Sequence, residues 1–96
     1  MNIDFNDIVN VHKKIKLNIK WTETSFSQQL SEATGCNIFI KYENRQHTGS
    51  FKVRGAYAKL LSLSDEEKQK GVIAMSAGNH AQGLAYSAKK MNINSN

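Results

Sequence analysis

Two short apolar runs set the narrowest limits on what this chain can fold into. Asn37 to Glu43 carries Ile38, Phe39, Ile40 and Tyr42, and Val72 to Met75 is continuously apolar. Each run is short and rich in β-formers. Each is followed by a loop bearing Gly and Ser, and then by apolar residues at helical spacing. Strands that hand over to helices predict an α/β chain with a partial parallel sheet and right-handed crossovers. Adjacent apolar residues in the first run further predict a strand buried on both faces. Two strands do not make a stable parallel sheet, so a third is expected after the last helix. Residues 1–96 are accordingly expected to be an incomplete piece of a larger domain, with 92–96 as a disordered Asn-rich tail.

The helical segments follow from spacing and caps. Phe5, Ile8, Val9, His12 and Ile15 form a stripe at offsets of three and four, with Asp4 as N-cap and an end near Leu17. Ser25 and Gln28 have capping-box spacing, and Gly35 sits where a glycine ends a helix, which predicts a second helix through Ala33. Ser50 can cap a third helix running through Leu63. Ser64 and Glu67 make another capping box for a short helix that Gly71 stops. Ala81, Leu84, Ala85 and Ala88 mark the last helix, to about Lys90.

Charge and composition exclude several classes. The net charge is +5, but 11 of the 13 cationic residues are Lys, and the two arginines are Arg45 and Arg54. Without Arg forks, stacking aromatics or a binding motif, this basicity reads as solvated surface, and no nucleic-acid partner is expected. Cys36 is the single cysteine, so there is neither an internal disulfide nor a metal-ligand spacing. Met1 to Asn10 is polar and resembles no signal peptide, and no apolar run approaches the roughly 20 residues of a membrane span. A cytoplasmic protein with no membrane partner is the expectation.

Two loops carry chemistry. Both leave the carboxyl end of a predicted strand and enter the amino end of a helix, where ligands bind in open α/β sheets. The first ends in Thr48-Gly49-Ser50-Phe51-Lys52. Under a Ser50 cap, Lys52 falls in the first helical turn, where the dipole disfavours an ammonium and leaves the neutral amine more available. That amine is the nucleophile a Schiff base requires. A lone lysine at such a place is ordinarily just solvated, and the second loop is what changes the balance. Ser76-Ala77-Gly78-Asn79-His80 offers a hydroxyl, a turn, an amide and free backbone N–H groups at a helix start, which together make an anion site. His80 reads as a loop-anchoring hydrogen-bond donor rather than a general base.

Lys41-Tyr42-Glu43-Asn44 leading to Gly49-Ser50-Phe51-Lys52-Val53-Arg54-Gly55-Ala56-Tyr57 is similar to the lysine segment of threonine and serine dehydratases. Ser76 to Ala85 resembles the substrate-binding loop of that family, and the likeness extends from about Phe5 to Ile93. It implies the tryptophan synthase β-like, pyridoxal-phosphate-dependent fold, of which this would be the N-terminal part of the catalytic domain. It also implies that Lys52 forms a Schiff base with pyridoxal 5′-phosphate and later acts as base at the substrate Cα. Phe51 would pack on the cofactor ring and Asn79 would hydrogen-bond its 3-hydroxyl. Ser76, Ala77, Gly78, Asn79 and His80 would bind the substrate carboxylate. The implied reaction is dehydration and deamination of L-threonine, or of L-serine, to a 2-oxo acid and ammonia by a homo-oligomeric full-length enzyme.

Details separate the relatives. Cysteine and threonine synthases typically continue with Asp where this chain has Val53. Serine racemases place a second acid/base serine where this chain has Ala77, which has no proton to offer. An inactive truncated remnant of the same family is the other alternative. The chain departs from the family in having Thr22-Glu23 where a Thr-Pro pair is usual. The family's glycine-rich phosphate cradle lies further along, and Gly49, Gly55, Gly71, Gly78 and Gly83 do not make one, so these 96 residues alone are expected to be inactive.

Overall fold

The computed structural model describes residues 1–96. Helix α1 spans Phe5–Ile15, and Asp4 closes a reciprocal capping box with Asp7: the Asp7 N–H donates to Asp4 (2.9 Å) and the Asp4 N–H to Asp7 (3.0 Å). Strand β1, Thr24–Phe26, precedes helix α2, Gln28–Thr34, and strand β2, Phe39–Lys41, follows it. Two 3-10 turns, Glu43–Arg45 and His47–Gly49, lead into helix α3, Lys52–Ser62. Helix α4, Asp65–Lys70, and helix α5, Asn79–Lys90, complete the order. The Ser64–Glu67 capping box forms as expected, and Gly71 ends α4 at φ 80°.

The mixed helix-and-strand class holds, but the pairing differs in three places. First, the polar segment before α2 is itself a strand. Ser25 pairs with Ile40 in an antiparallel β1–β2 register, and Ser27, not Ser25, caps α2 through a hydrogen bond from the Leu30 N–H (3.3 Å). A three-residue strand carries too little periodicity to be seen in sequence. Second, β2 is not buried on both faces: Phe39 is 63% exposed and meets Phe26 edge-on at 5.6 Å across the ladder. A two-stranded ribbon has no layer above that face, so the apolar pair covers itself. Third, 72–75 forms one parallel bridge, Val72 to Ser95, rather than a strand.

That bridge is parallel and falls in the segment that the sequence reading treats as a tail, short of the third strand it expects. The Val72 N–H donates to the Asn94 carbonyl (2.8 Å) and the Asn96 N–H to that of Val72 (3.0 Å). Residues 92–96, which composition alone assigns to a disordered tail, are therefore tied to 72–74, and Ile93 is buried.

Two apolar clusters hold the helices. Ile15, Ile19, Val53 and Tyr57 join α1 to α3, and Leu60, Leu84, Ala88 and Ile93 join α3 to α5 and the C-terminal segment. Met91 packs against both. The core is small for the chain: the radius of gyration is 16.0 Å, where a compact chain of this length has about 12–13 Å. Trp21, Ile73 and Met75 stand exposed as a consequence. No helix is long and apolar enough to cross a membrane.

Candidate active site

The first loop reaches Lys52 through a strained turn. Thr48 and Gly49 both adopt left-handed backbone conformations, at φ 66° and 77°. Gly49 does so freely, whereas β-branched Thr48 carries a cost of about 1–3 kcal/mol that the surroundings must hold. Gln46, buried beneath the turn, supplies the hold. Its side-chain oxygen accepts from the N–H groups of Lys20 (2.7 Å) and His47 (3.1 Å), and its amide nitrogen donates to the Lys20 carbonyl (2.8 Å). His47 stacks on Tyr86 of α5 at 4.8 Å. Burial, then the nearby Lys20 and Lys90 charges, push the His47 pKa below its usual 6.5, so it is held neutral.

Ser50, extended and buried, accepts from the Lys52 N–H (3.4 Å), but Phe51 rather than Ser50 stands at the cap position of α3 and makes no side-chain cap. Lys52 thus occupies the first turn, as its spacing from Ser50 predicts. Its side chain is exposed, with Nζ 5.4 Å from the centre of the Phe51 ring, and Phe51 is exposed too.

Behind Lys52, Glu43 gathers donors from two further segments. Its carboxylate pairs with Arg54 on α3, accepts from the Thr22 hydroxyl (2.7 Å), and receives a longer contact from Gln46 (3.4 Å). The Arg54 hydrogen bond outweighs burial and holds the Glu43 pKa at about 2, below the ordinary 4.5.

The second loop is open. The Gly78 N–H donates to the Ser76 hydroxyl (3.3 Å), but no side chain caps α5 and no acidic residue lies in its first turn. The start of α5, a helix of 12 residues, therefore keeps free N–H groups and an unopposed dipole, which favour negative charge. Ser76, Ala77, Asn79 and His80 are exposed and Gly78 is half-buried. His80 lines a cleft with Gly55, Lys59 and Ala74, and Lys52 is not among the residues of that cleft.

The helices that follow the two loops meet in one close backbone contact. A Cβ on Gly83 would lie 3.1 Å from both the Lys52 carbonyl carbon and the Val53 nitrogen. The absence of a side chain lets α5 rest on the peptide that follows Lys52. One turn separates Gly83 from Asn79, about 6 Å along the axis, so the uncapped end of α5 lies one turn from that contact. A larger apolar cleft, about 650 Å³ and lined by Ile8, Val11, Ile15 and Arg54, lies between α1 and α3 and includes none of these loop residues. Glu43, Gln46, Thr22 and Gly83 were not singled out by sequence reasoning. Glu43 and Gly83 stand inside the two motifs, but nothing in their spacing tells a clamp from a surface residue.

Comparison with known proteins gives the family and the fold. Residues 15–96 match the family described as pyridoxal-phosphate dependent enzyme, and the chain belongs to that family. It is 48% identical over 91 residues to the L-threonine ammonia-lyase of Thermotoga maritima, which covers 95% of this chain and 23% of that protein. Among solved structures it superposes on serine racemase from Dictyostelium discoideum with a TM-score of 0.88 and 39% identity, over 97% of this chain and 30% of the other. A threonine deaminase, from T.th., gives 0.83 and 35%, over 98% and 33%. The chain spans about a quarter of the length of the curated relatives it matches. Members of this fold are tryptophan synthase β-like, and pyridoxal phosphate is the family's cofactor.

Proposed function

We propose that this chain carries the reactive lysine and the carboxylate-binding loop of a threonine ammonia-lyase, which removes water and then ammonia from L-threonine, with L-serine as a second substrate. One observation carries the reading. The first turn of α3, which carries the exposed Lys52 amine, rests at its backbone on Gly83 of the helix whose uncapped start follows Ser76-Ala77-Gly78. The names of the curated relatives, threonine ammonia-lyase and threonine dehydratase, support the same substrate.

The residues present fit the reactive end of pyridoxal phosphate. Lys52 would hold its aldehyde carbon, exposed Phe51 would pack on its ring, and Asn79 would meet its 3-hydroxyl. When bound, the cofactor supplies the electron sink that makes the substrate Cα–H acidic. The chain does the rest. The α5 start and the Ser76 hydroxyl bind the substrate carboxylate and turn the Cα–H bond toward Lys52. Lys52, as a free amine, would take that proton. The proton held by Lys52 would pass to the β-hydroxyl, which leaves as water, and the enamine product hydrolyses to a 2-oxo acid and ammonia. The phosphate anchor, the cytoplasmic location and the homo-oligomeric state belong to this proposal for the whole protein. So does the assignment of residues 1–96 to the N-terminal part of the catalytic domain.

Racemisation is the second reading, favoured by the superposition on serine racemase. It needs a second proton donor on the face opposite Lys52, and Ala77 offers none. Reduction with borohydride in the presence of pyridoxal phosphate tests the first reading. Label is expected on Lys52 and lost in Lys52→Ala. Label spread over surface lysines, with Lys52→Ala matching the parent, overturns it. Formation of D-serine by the complete enzyme would favour the second reading.

A further inference from the structure

The first turn of α3 is held on two sides. One is the Gly83 contact at the peptide following Lys52. The other is Arg54. Residues two apart on a helix point about 200° away from each other, so Arg54 reaches backward from the same turn that presents Lys52 forward. Arg54 is mostly buried, and so is its partner Glu43. Glu43 in turn accepts from the Thr22 hydroxyl (2.7 Å), which ties it to the segment before β1.

We propose that Glu43 is a positioning residue for Lys52: by anchoring Arg54 it fixes the rotation of the first α3 turn, and hence the direction in which the Lys52 amine leaves the helix. The inference rests on the proposed role of Lys52 as the capturing amine.

Three features of the geometry favour positioning over mere cohesion. The pair is partly buried, charge-assisted and made through the guanidinium Nε, which restricts orientation more than a fully exposed ion pair does. The loop between Glu43 and Lys52 contains the strained Thr48 turn, which persists only where its surroundings are over-determined. The Ser50 contact to the Lys52 N–H is long, at 3.4 Å, so the cap alone does not set the turn. The low Glu43 pKa accords with a carboxylate that stays charged wherever the protein is folded.

The test uses Glu43→Gln, which keeps shape and the Thr22 hydrogen bond but removes the charge, with Arg54→Met as the second variant. Three quantities are read on the full chain: the Lys52 and Val53 amide resonances, the rate of pyridoxal phosphate capture at Lys52 by borohydride trapping, and the pH dependence of that rate. Shifted resonances, a rate lowered by at least about tenfold and a displaced pH profile, alike in both variants and not compounded in the double variant, are expected. Folded Glu43→Gln with the parent's resonances, rate and pH profile overturns the proposal. If Glu43→Gln does not fold, Arg54→Met with the parent's values overturns it equally. Resonances that move while the parent itself shows no capture at Lys52 would sink the lyase reading and leave the positioning role standing.

Discussion

Replacing Gly83 by Ala probes the contact on which the site depends. The new Cβ would sit 3.1 Å from the Lys52 carbonyl carbon and the Val53 nitrogen, and 3.3 Å from the Lys52 oxygen. All three are backbone atoms of a helical turn and cannot swing aside, whereas ordinary carbon contacts lie at about 3.5–4.0 Å. The helices must part by a few tenths of an ångström, and overpacking of this kind costs about 1–3 kcal/mol. Against it stands the helix propensity of Ala over Gly, about 0.8–1.0 kcal/mol. The net is a loss of about 1 kcal/mol, or a Tm lower by about 4–8 °C for a chain of this size. Gly55→Ala is the control. It is also helical, but a Cβ there meets nothing within 4 Å, so only the propensity term remains and the Tm should rise by a similar amount. Thermal melts followed by circular dichroism read both. Gly83→Ala stabilised as much as Gly55→Ala would refute the close approach and, with it, the coupling of the two loops.

Leu60, 1% exposed between α3 and α5, should cost about 2–5 kcal/mol when cut to Ala, measured by urea unfolding. Acid should weaken the fold in two stages, because both shifted groups bind protons more readily when unfolded. The depressed His47 contributes stability that is whole above pH 6.5 and is lost as the pH falls toward its lower folded value. Glu43 contributes in the same sense between pH 4.5 and about 2. In Glu43→Gln the lower stage should vanish from the pH dependence of the urea midpoint while the upper stage remains.

The helices were legible because their signals are local. Asp4, Ser64, Gly35 and Gly71 act on groups within a few residues, so cap and stop are written side by side. Lys52 was legible for the same reason, as the spacing from Ser50 places it in the first turn wherever the helix packs. The strands were not. Whether Phe39 is covered depends on a layer that a two-stranded ribbon lacks. The antiparallel partner of β2 is a Thr-Ser-Phe segment with no strand signature of its own. Pairing is a tertiary property, and β-propensity reports only that a residue suits a pleated surface.

The same distinction separates the residues that do chemistry from those that aim them. A residue proposed to capture an aldehyde or to bind a carboxylate must be of a certain type, so Lys52 and Ser76 stand out in a string of letters. A clamp needs only to meet its partner, and the partners of Glu43 lie 21 residues before it and 11 after it. Gly83 is further still from the peptide it touches, and its contribution is the absence of an atom. Both converge on one helical turn through contacts invisible to periodicity. The amine of Lys52 is thus a local feature of the sequence, while its direction is a property of the α3–α5 packing and the Glu43–Arg54 pair. A variant that leaves Lys52 in place but loosens either contact should lose capture before it loses the fold.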